Sequence, residues 1–185
     1  KTNAITEIPA DRWDARLLYD ADGHARDRMN SKWGGFFTDV PFDPIANRMP
    51  PAVLPQICSH QLLALEVTRW ALADAGYQSR SFDRDNTAVI VGVAETGGLT
   101  GNGLITRTMM PFVLDQIPAD ALDRLPEWTG ESFTGMLGNV TAGRIANQLD
   151  LGGANFCIDA ACATSLLTLD LAAREIREGR ASVAI

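Results

Sequence analysis

At 185 residues, 46% hydrophobic and 21% charged, the chain has ordinary globular composition, with apolar content for one core and about one domain. A net charge of −7 argues against a general nucleic-acid or anionic-membrane surface, and no apolar run reaches the about 18 residues of a transmembrane helix. Three cysteines, an odd number at unpatterned spacing, argue against a disulfide framework and point to a reduced, cytoplasmic protein.

The N-terminus, Lys1-Thr2-Asn3-Ala4, carries no apolar signal-peptide core. Residues 1–56 are expected to be loop-rich. Asp11-Arg12-Trp13-Asp14 and Tyr19-Asp20-Ala21-Asp22-Gly23 read as turns, and Lys32-Trp33-Gly34-Gly35-Phe36-Phe37 as a short extended piece. Pro41, Pro44, Pro50, Pro51 and Pro55 are expected to block regular structure. The aromatics Trp13, Trp33, Phe36, Phe37 and Phe42 imply that this arm packs on something.

Residues 57–75 predict a helix whose apolar face carries Leu62, Leu63, Leu65, Val67, Trp70, Ala71 and Leu72, ended by Gly76. Cys58 and His60 lie in its first turns. Cys58 has no metal-ligand spacing to Cys157 or Cys162 and is expected to be a buried structural thiol, and His60 is expected to be a surface or satisfied residue rather than a ligand. Thr87-Ala88-Val89-Ile90-Val91-Gly92-Val93 predicts a central strand covered on both faces. The glycine-rich stretch 95–103 lacks the register of a phosphate cradle and reads as a flexible loop. Pro111, Pro118 and Pro126 interrupt a helical or mixed region over 104–127.

Residues 135–148 predict one helix packed through Gly and Ala. Leu149-Asp150-Leu151-Gly152-Gly153 then turns into a short apolar run, Ala154-Asn155-Phe156-Cys157-Ile158, expected to be a buried strand. Leu166 to Glu178 has helical apolar spacing and Gly179 as a stop, and Ala181-Ser182-Val183-Ala184-Ile185 opens another buried strand. Alternating helices and buried strands give a layered α/β fold.

Cys162, in Asp159-Ala160-Ala161-Cys162-Ala163-Thr164-Ser165-Leu166, therefore falls where a strand turns sharply into a helix. Such a turn holds a side chain out at the end of a sheet and tolerates only small neighbours, here Ala161 and Ala163; this is the logic of a nucleophile elbow. A helix N-terminus also favours the thiolate, the reactive form, by roughly 0.3–1 kcal/mol. Cys162 is thus the candidate nucleophile. His24 and His60 lie far from it in sequence.

These residues resemble the N-terminal part of a β-ketoacyl synthase, a thiolase-fold condensing enzyme. Ile5 to Trp13 resembles the family's early loop, Lys32-Trp33-Gly34-Gly35-Phe36 its next block, and Gln61 to Gly76 its first long helix. Gly138-Asn139-Val140-Thr141-Ala142-Gly143-Arg144-Ile145-Ala146-Asn147, leading into Asp159-Ala160-Ala161-Cys162, is the most specific part. Ser132-Phe133, Leu151-Gly152-Gly153, Ser59-His60-Gln61 and the Asp-Ala-Ala-Cys form are closest to two iterative types, the enediyne polyketide synthases first and the polyunsaturated fatty acid synthases second. Thr164 stands where the family usually has serine.

The resemblance implies a thiolase-like layered α/β/α/β/α fold, with residues 1–185 forming an N-terminal part that lacks the first strand and the C-terminal half. It implies acyl transfer to Cys162, then decarboxylative condensation with a malonyl carrier protein, with the Cys162 N–H in the oxyanion hole. The catalytic histidines would lie beyond these residues. No cofactor or metal is bound directly; substrates arrive on the phosphopantetheine of an acyl carrier protein, and the family is typically homodimeric. An acidic carrier would need a local basic patch on this acidic chain. A non-catalytic, chain-length-factor-like role is the rival reading, against which the presence of Cys162 argues.

Overall fold

The computed structural model describes residues 3–37, 40–94, 98–118 and 120–185, with the backbone alone for 98–100. The chain forms two compact units, Lys1–Pro41 and Phe42–Ile185.

In the first unit, strand β1 (Ile5–Glu7) pairs antiparallel with β2 (Trp33–Gly35), Ile5 opposite Gly35 and Glu7 opposite Trp33. The extended piece at 32–36 is thus a strand, and its partner lies in a stretch expected to be loop. Lys32 Nζ closes the ribbon on the Glu7 carboxylate at 2.9 Å. Trp13 meets Phe36 edge-on, with ring centroids 6.4 Å apart, yet Trp13, Trp33 and Phe37 are all exposed. Both oxygens of Asp20 build the 20–25 turn. They accept the N–H groups of Ala25 (2.8 Å), His24 (2.9 Å) and Asp22 (3.3 Å). These bonds, Ala25's foremost, hold the Asp20 carboxyl below its ordinary range.

The second unit is built on strand β3 (Thr87–Gly92), whose first four residues are buried. Its β-branched, apolar run makes it the middle of a parallel sheet, between β4 (Asn155–Ile158) and β5 (Val183–Ala184). Successive side chains of a strand point to opposite faces. Val89 and Val91 pack with Ala142, Ile145, Ala146 and Leu149 of helix α4 (Val140–Leu149), and Leu65 of helix α1 (Ser59–Asp74) joins the same core. Gly92 faces helix α5 (Thr164–Arg177) on the other side. The expected layers are present, with the sheet between α4 and α5.

Five expectations change. Strand β4 is not buried: Asn155 and Phe156 are exposed, because among the described residues β4 is the sheet edge and only β3 pairs with it. On α1, Val67 and Trp70 are about half exposed, while Gln61, Leu65 and Thr68 form the buried stripe. Polar residues can occupy that stripe because they are satisfied there; Thr68 Oγ1 donates to the Ala64 carbonyl at 2.8 Å. The prolines at 50–55 do not prevent regular structure. Pro51–Gln56 is a 3₁₀ helix, with Val53 N–H bonded to the Pro50 carbonyl. Of the glycine-rich stretch, residues 95–97 lie outside the described residues, and 98–103 are the start of helix α2 (Gly98–Val113), not a loop. Gly103 lets α2 approach Pro126 closely, where a Cβ would stand 2.8 Å from the proline ring.

The fifth change carries the most weight. The single helix expected over 135–148 is two, α3 (Ser132–Met136) and α4, separated by an extended Leu137 (φ −81, ψ 118). Gln61, wholly buried, causes the break. Its Nε2 lies within hydrogen-bond reach of the carbonyls of Thr134 (3.1 Å), Gly135 (2.9 Å) and Leu137 (2.9 Å). Its Oε1 accepts from Arg144 Nε at 2.7 Å. The Cys58 N–H takes the Gly135 carbonyl as well, at 2.8 Å. Carbonyls that would extend α3 are turned instead toward the start of α1. Burial pushes the Arg144 guanidinium below its usual range, and Glu131 opposes this.

Replacing Gln61 by Leu in the full-length protein strands these carbonyls and Arg144 Nε. It should lower unfolding stability by roughly 2–4 kcal/mol in a denaturant titration. A loss below about 0.5 kcal/mol would mean that the break in the helix does not depend on Gln61.

Candidate active site

Strand β4 delivers the chain to the end of the sheet beside β3, where the Val93 N–H bonds the Ile158 carbonyl at 3.0 Å. A 3₁₀ turn, Ala161–Ala163, then leads directly into α5. The reversal is sharp enough to force Ala161 into the left-handed region, at φ 48. For a residue with a Cβ this costs roughly 1–2 kcal/mol.

Two side chains hold that backbone. Asp159 Oδ1 accepts the Ala161 N–H at 2.8 Å. Thr164 Oγ1 donates to the Ala161 carbonyl at 2.7 Å and accepts the Ala160 N–H at 2.8 Å. The Thr164 and Ala163 N–H groups close the turn on the carbonyls of Ala161 and Ala160. Cys162 follows the strained residue and leads into the first turn of α5.

The thiol lines an open hollow of about 450 Å³ with Gly92, Ala94, Ala161, Thr164, Ser165 and Thr168. Every other lining residue is small, so among the described residues nothing bulky lines the hollow beside the sulfur. The three cysteines differ in access: Cys162 is exposed, Cys157 half-buried and Cys58 buried. Cys157 Sγ lies 3.4 Å from both the Ala142 N–H and the Gly138 carbonyl, tied to the start of α4.

Gly92 decides how close α5 can come to the sheet. A Cβ on Gly92 would stand 2.6 Å from Thr164 Cγ2 and 3.0 Å from Thr168 Oγ1. Thr168 Oγ1 is itself committed to the Thr164 carbonyl, at 2.7 Å. The methyl of Thr164 thus occupies the room that a side chain at 92 would need, and its hydroxyl serves the turn. In the sequence, Thr164 stands out only as a departure from serine. The signal it does carry is the hydroxyl itself, since serine and threonine at the start of a helix bond nearby backbone.

Neither histidine lines the hollow. His60 is in the first turn of α1, and His24 is in the 20–25 turn of the first unit. Among the described residues, no three His, Cys, Asp or Glu side chains are placed to hold a metal ion, and no helix is long and apolar enough to cross a membrane.

The model of the β-ketoacyl synthase N-terminal domain matches residues 1–185. The chain belongs to the β-ketoacyl synthase family. One component of a phenolphthiocerol/phthiocerol polyketide synthase from Mycobacterium tuberculosis is 33% identical over 176 residues, covering 95% of this chain and 10% of that protein. A component of the polyunsaturated fatty acid synthase from Thraustochytrium is 29% identical over 191 residues, covering 96% and 7%. Among solved structures, the ketosynthase from module 6 of the Bacillus subtilis bacillaene synthase superposes with a TM-score of 0.70 at 25% identity, covering 98% of this chain and 26% of that one. An oxazolomycin ketosynthase domain from Streptomyces albus gives a TM-score of 0.66 at 28% identity, covering 97% and 28%. The chain therefore spans a tenth or less of the length of these two curated relatives, and has the thiolase-like fold of a ketosynthase's N-terminal half.

The contact at Gly92 is testable by a double-mutant cycle in the full-length protein. Gly92→Ala should cost about 1–3 kcal/mol of stability through overpacking. Thr164→Ser removes the methyl and keeps the hydroxyl, so in that background the alanine should cost at least about 0.5 kcal/mol less. Strictly additive losses would mean that the two residues do not share this space.

Proposed function

We propose that Cys162 is the acyl acceptor of a ketosynthase domain to which residues 1–185 contribute the N-terminal part. The observation that carries the reading is the exposed thiol at a strained strand-to-helix turn, opening on a hollow lined by small residues. In the loading step, the Cys162 thiolate attacks the carbonyl of an acyl group carried as a thioester on the phosphopantetheine of an acyl carrier protein. An Sγ–C bond forms, the carbon–sulfur bond to pantetheine breaks, and the pantetheine thiol leaves. The Cys162 N–H, at the head of α5, donates to the oxyanion of the tetrahedral intermediate.

In the condensing step, a malonyl carrier protein loses carbon dioxide. Its α-carbon then attacks the acyl-cysteine, forming the carbon–carbon bond and releasing the Cys162 thiolate. Histidines supplied by the remainder of the domain assist decarboxylation. The domain works as a cytoplasmic homodimer with a carrier protein as partner.

The product class we infer is polyketide, of the enediyne type, on the Asp-Ala-Ala-Cys form of the turn and the Ser132-Phe133 and Leu151-Gly152-Gly153 segments. The likeness to the Thraustochytrium polyunsaturated fatty acid synthase favours a second reading, in which the same condensation serves long-chain fatty acid synthesis.

In the full-length protein, iodoacetamide should alkylate Cys162 before Cys58 or Cys157, read by peptide mass spectrometry. Cys162→Ala should abolish acyl loading from a charged carrier protein while leaving the circular dichroism spectrum unchanged. Equal labelling of the three thiols, or loading retained in the alanine variant, would move the acceptor elsewhere and favour a non-catalytic, chain-length-factor-like role.

A further inference from the structure

The left-handed residue next to the nucleophile points to a role for a side chain outside the reacting groups. Alanine does not favour φ 48 by itself. A glycine at 161 would adopt it without steric cost. Here something must hold the alanine. Its N–H is held by the Asp159 carboxylate and its carbonyl by the Thr164 hydroxyl. The same hydroxyl accepts from the N–H of Ala160, so one oxygen braces both residues that precede Cys162. Thr164 is also fixed against rotation. Its methyl is wedged toward Gly92 while its hydroxyl is held by the turn. A β-branched side chain in a helix has few rotamers, and here the methyl contact and the hydroxyl bonds select one together.

We propose that Thr164 is a positioning residue for Cys162. Its hydroxyl holds Ala161 left-handed, and this sets the direction in which Sγ and the Cys162 N–H meet an incoming thioester. The proposal rests on Cys162 being the acyl acceptor. It assigns the strain at Ala161 and the brace at Thr164 to one device: the residue type at 161 makes the hydroxyl at 164 necessary. A glycine at 161 would make the hydroxyl dispensable.

That dependence supplies the test. In the full-length protein, acyl loading is followed by intact-peptide mass spectrometry, using acetyl- and hexanoyl-pantetheine thioesters as donors. Thr164→Val keeps the shape and removes the hydroxyl; it should slow loading of Cys162 about tenfold, the scale of losing two hydrogen bonds. Thr164→Ser keeps the hydroxyl and loses the methyl, and should load within about twofold of the wild type. On an Ala161→Gly background, Thr164→Val should cost less than about threefold, because glycine needs no brace.

A residue that only supported the fold would lose rate in all backgrounds alike, so rescue by Ala161→Gly separates positioning from stability. If Thr164→Val does not fold, the Ala161→Gly/Thr164→Val variant decides alone: the proposal requires it to fold and to load within about threefold of Ala161→Gly, and its failure to do either overturns the proposal. Equal loading by Thr164→Val and Thr164→Ser overturns it too, as does an undiminished penalty in the glycine background. A wild-type protein that takes no acyl group on Cys162 from either donor is a different result. It removes the acceptor reading itself.

Discussion

The close approach of α5 to β3 at Gly92 is the constraint on which the second unit depends. A helix can lie over a strand at this distance only where the strand has no side chain, and a Cβ there would meet Thr164 and Thr168 at 2.6 and 3.0 Å. With α5 pressed onto the sheet, the chain leaving β4 has only residues 159–163 in which to turn. The left-handed Ala161 is the result of that short span. The brace from Asp159 and Thr164 offsets its cost, and the exposed sulfur is what the turn presents. Packing, backbone strain and the exposure of the sulfur are thus successive consequences of one missing side chain.

A second constraint acts on the other face of the sheet. Gln61 replaces the helical hydrogen bonds of residues 134–137 with its own, and so sets where α4 begins. Helix α4 in turn covers Val89 and Val91, and its first turn meets Cys157. A buried amide joins two helices and the strand next to the site without taking part in the chemistry. Burying such a group is tolerable because its donors and acceptor are all engaged; a half-satisfied amide at the same place would be worse than an apolar residue.

Much of this is legible in the residues. The β-branched run at 87–92 marks the central strand, and helix formers followed by Gly179 mark α5 and its end, where Gly179 has φ 71. The small residues around Cys162 identify the turn. What periodicity misses is decided by tertiary contacts. Nothing local in 135–148 announces a break, because the group that makes it is about 75 residues away in sequence, at Gln61. The glycine at 103 reads as loop because its reason, Pro126 lying against the helix, is not local either. The β4 sequence reads as buried because an apolar run does not say whether a strand has one neighbour or two. Thr164 is visible as a residue and not as a brace, since its role depends on the dihedral angle of Ala161.

The different access of the three thiols also bears on oxidation. Cys58 and Cys157 are sheltered, so peroxide meets Cys162 first. The first product, a sulfenic acid, can be reduced by thiols, whereas the next, a sulfinic acid, is not recovered by them. The added oxygens would project into an open hollow and disturb no packed neighbour. A preparation aged without reductant would therefore keep its secondary structure and melting behaviour while losing its free thiol. For this protein, a correct fold is no measure of the state of its exposed thiol; titration of the reduced Cys162 is.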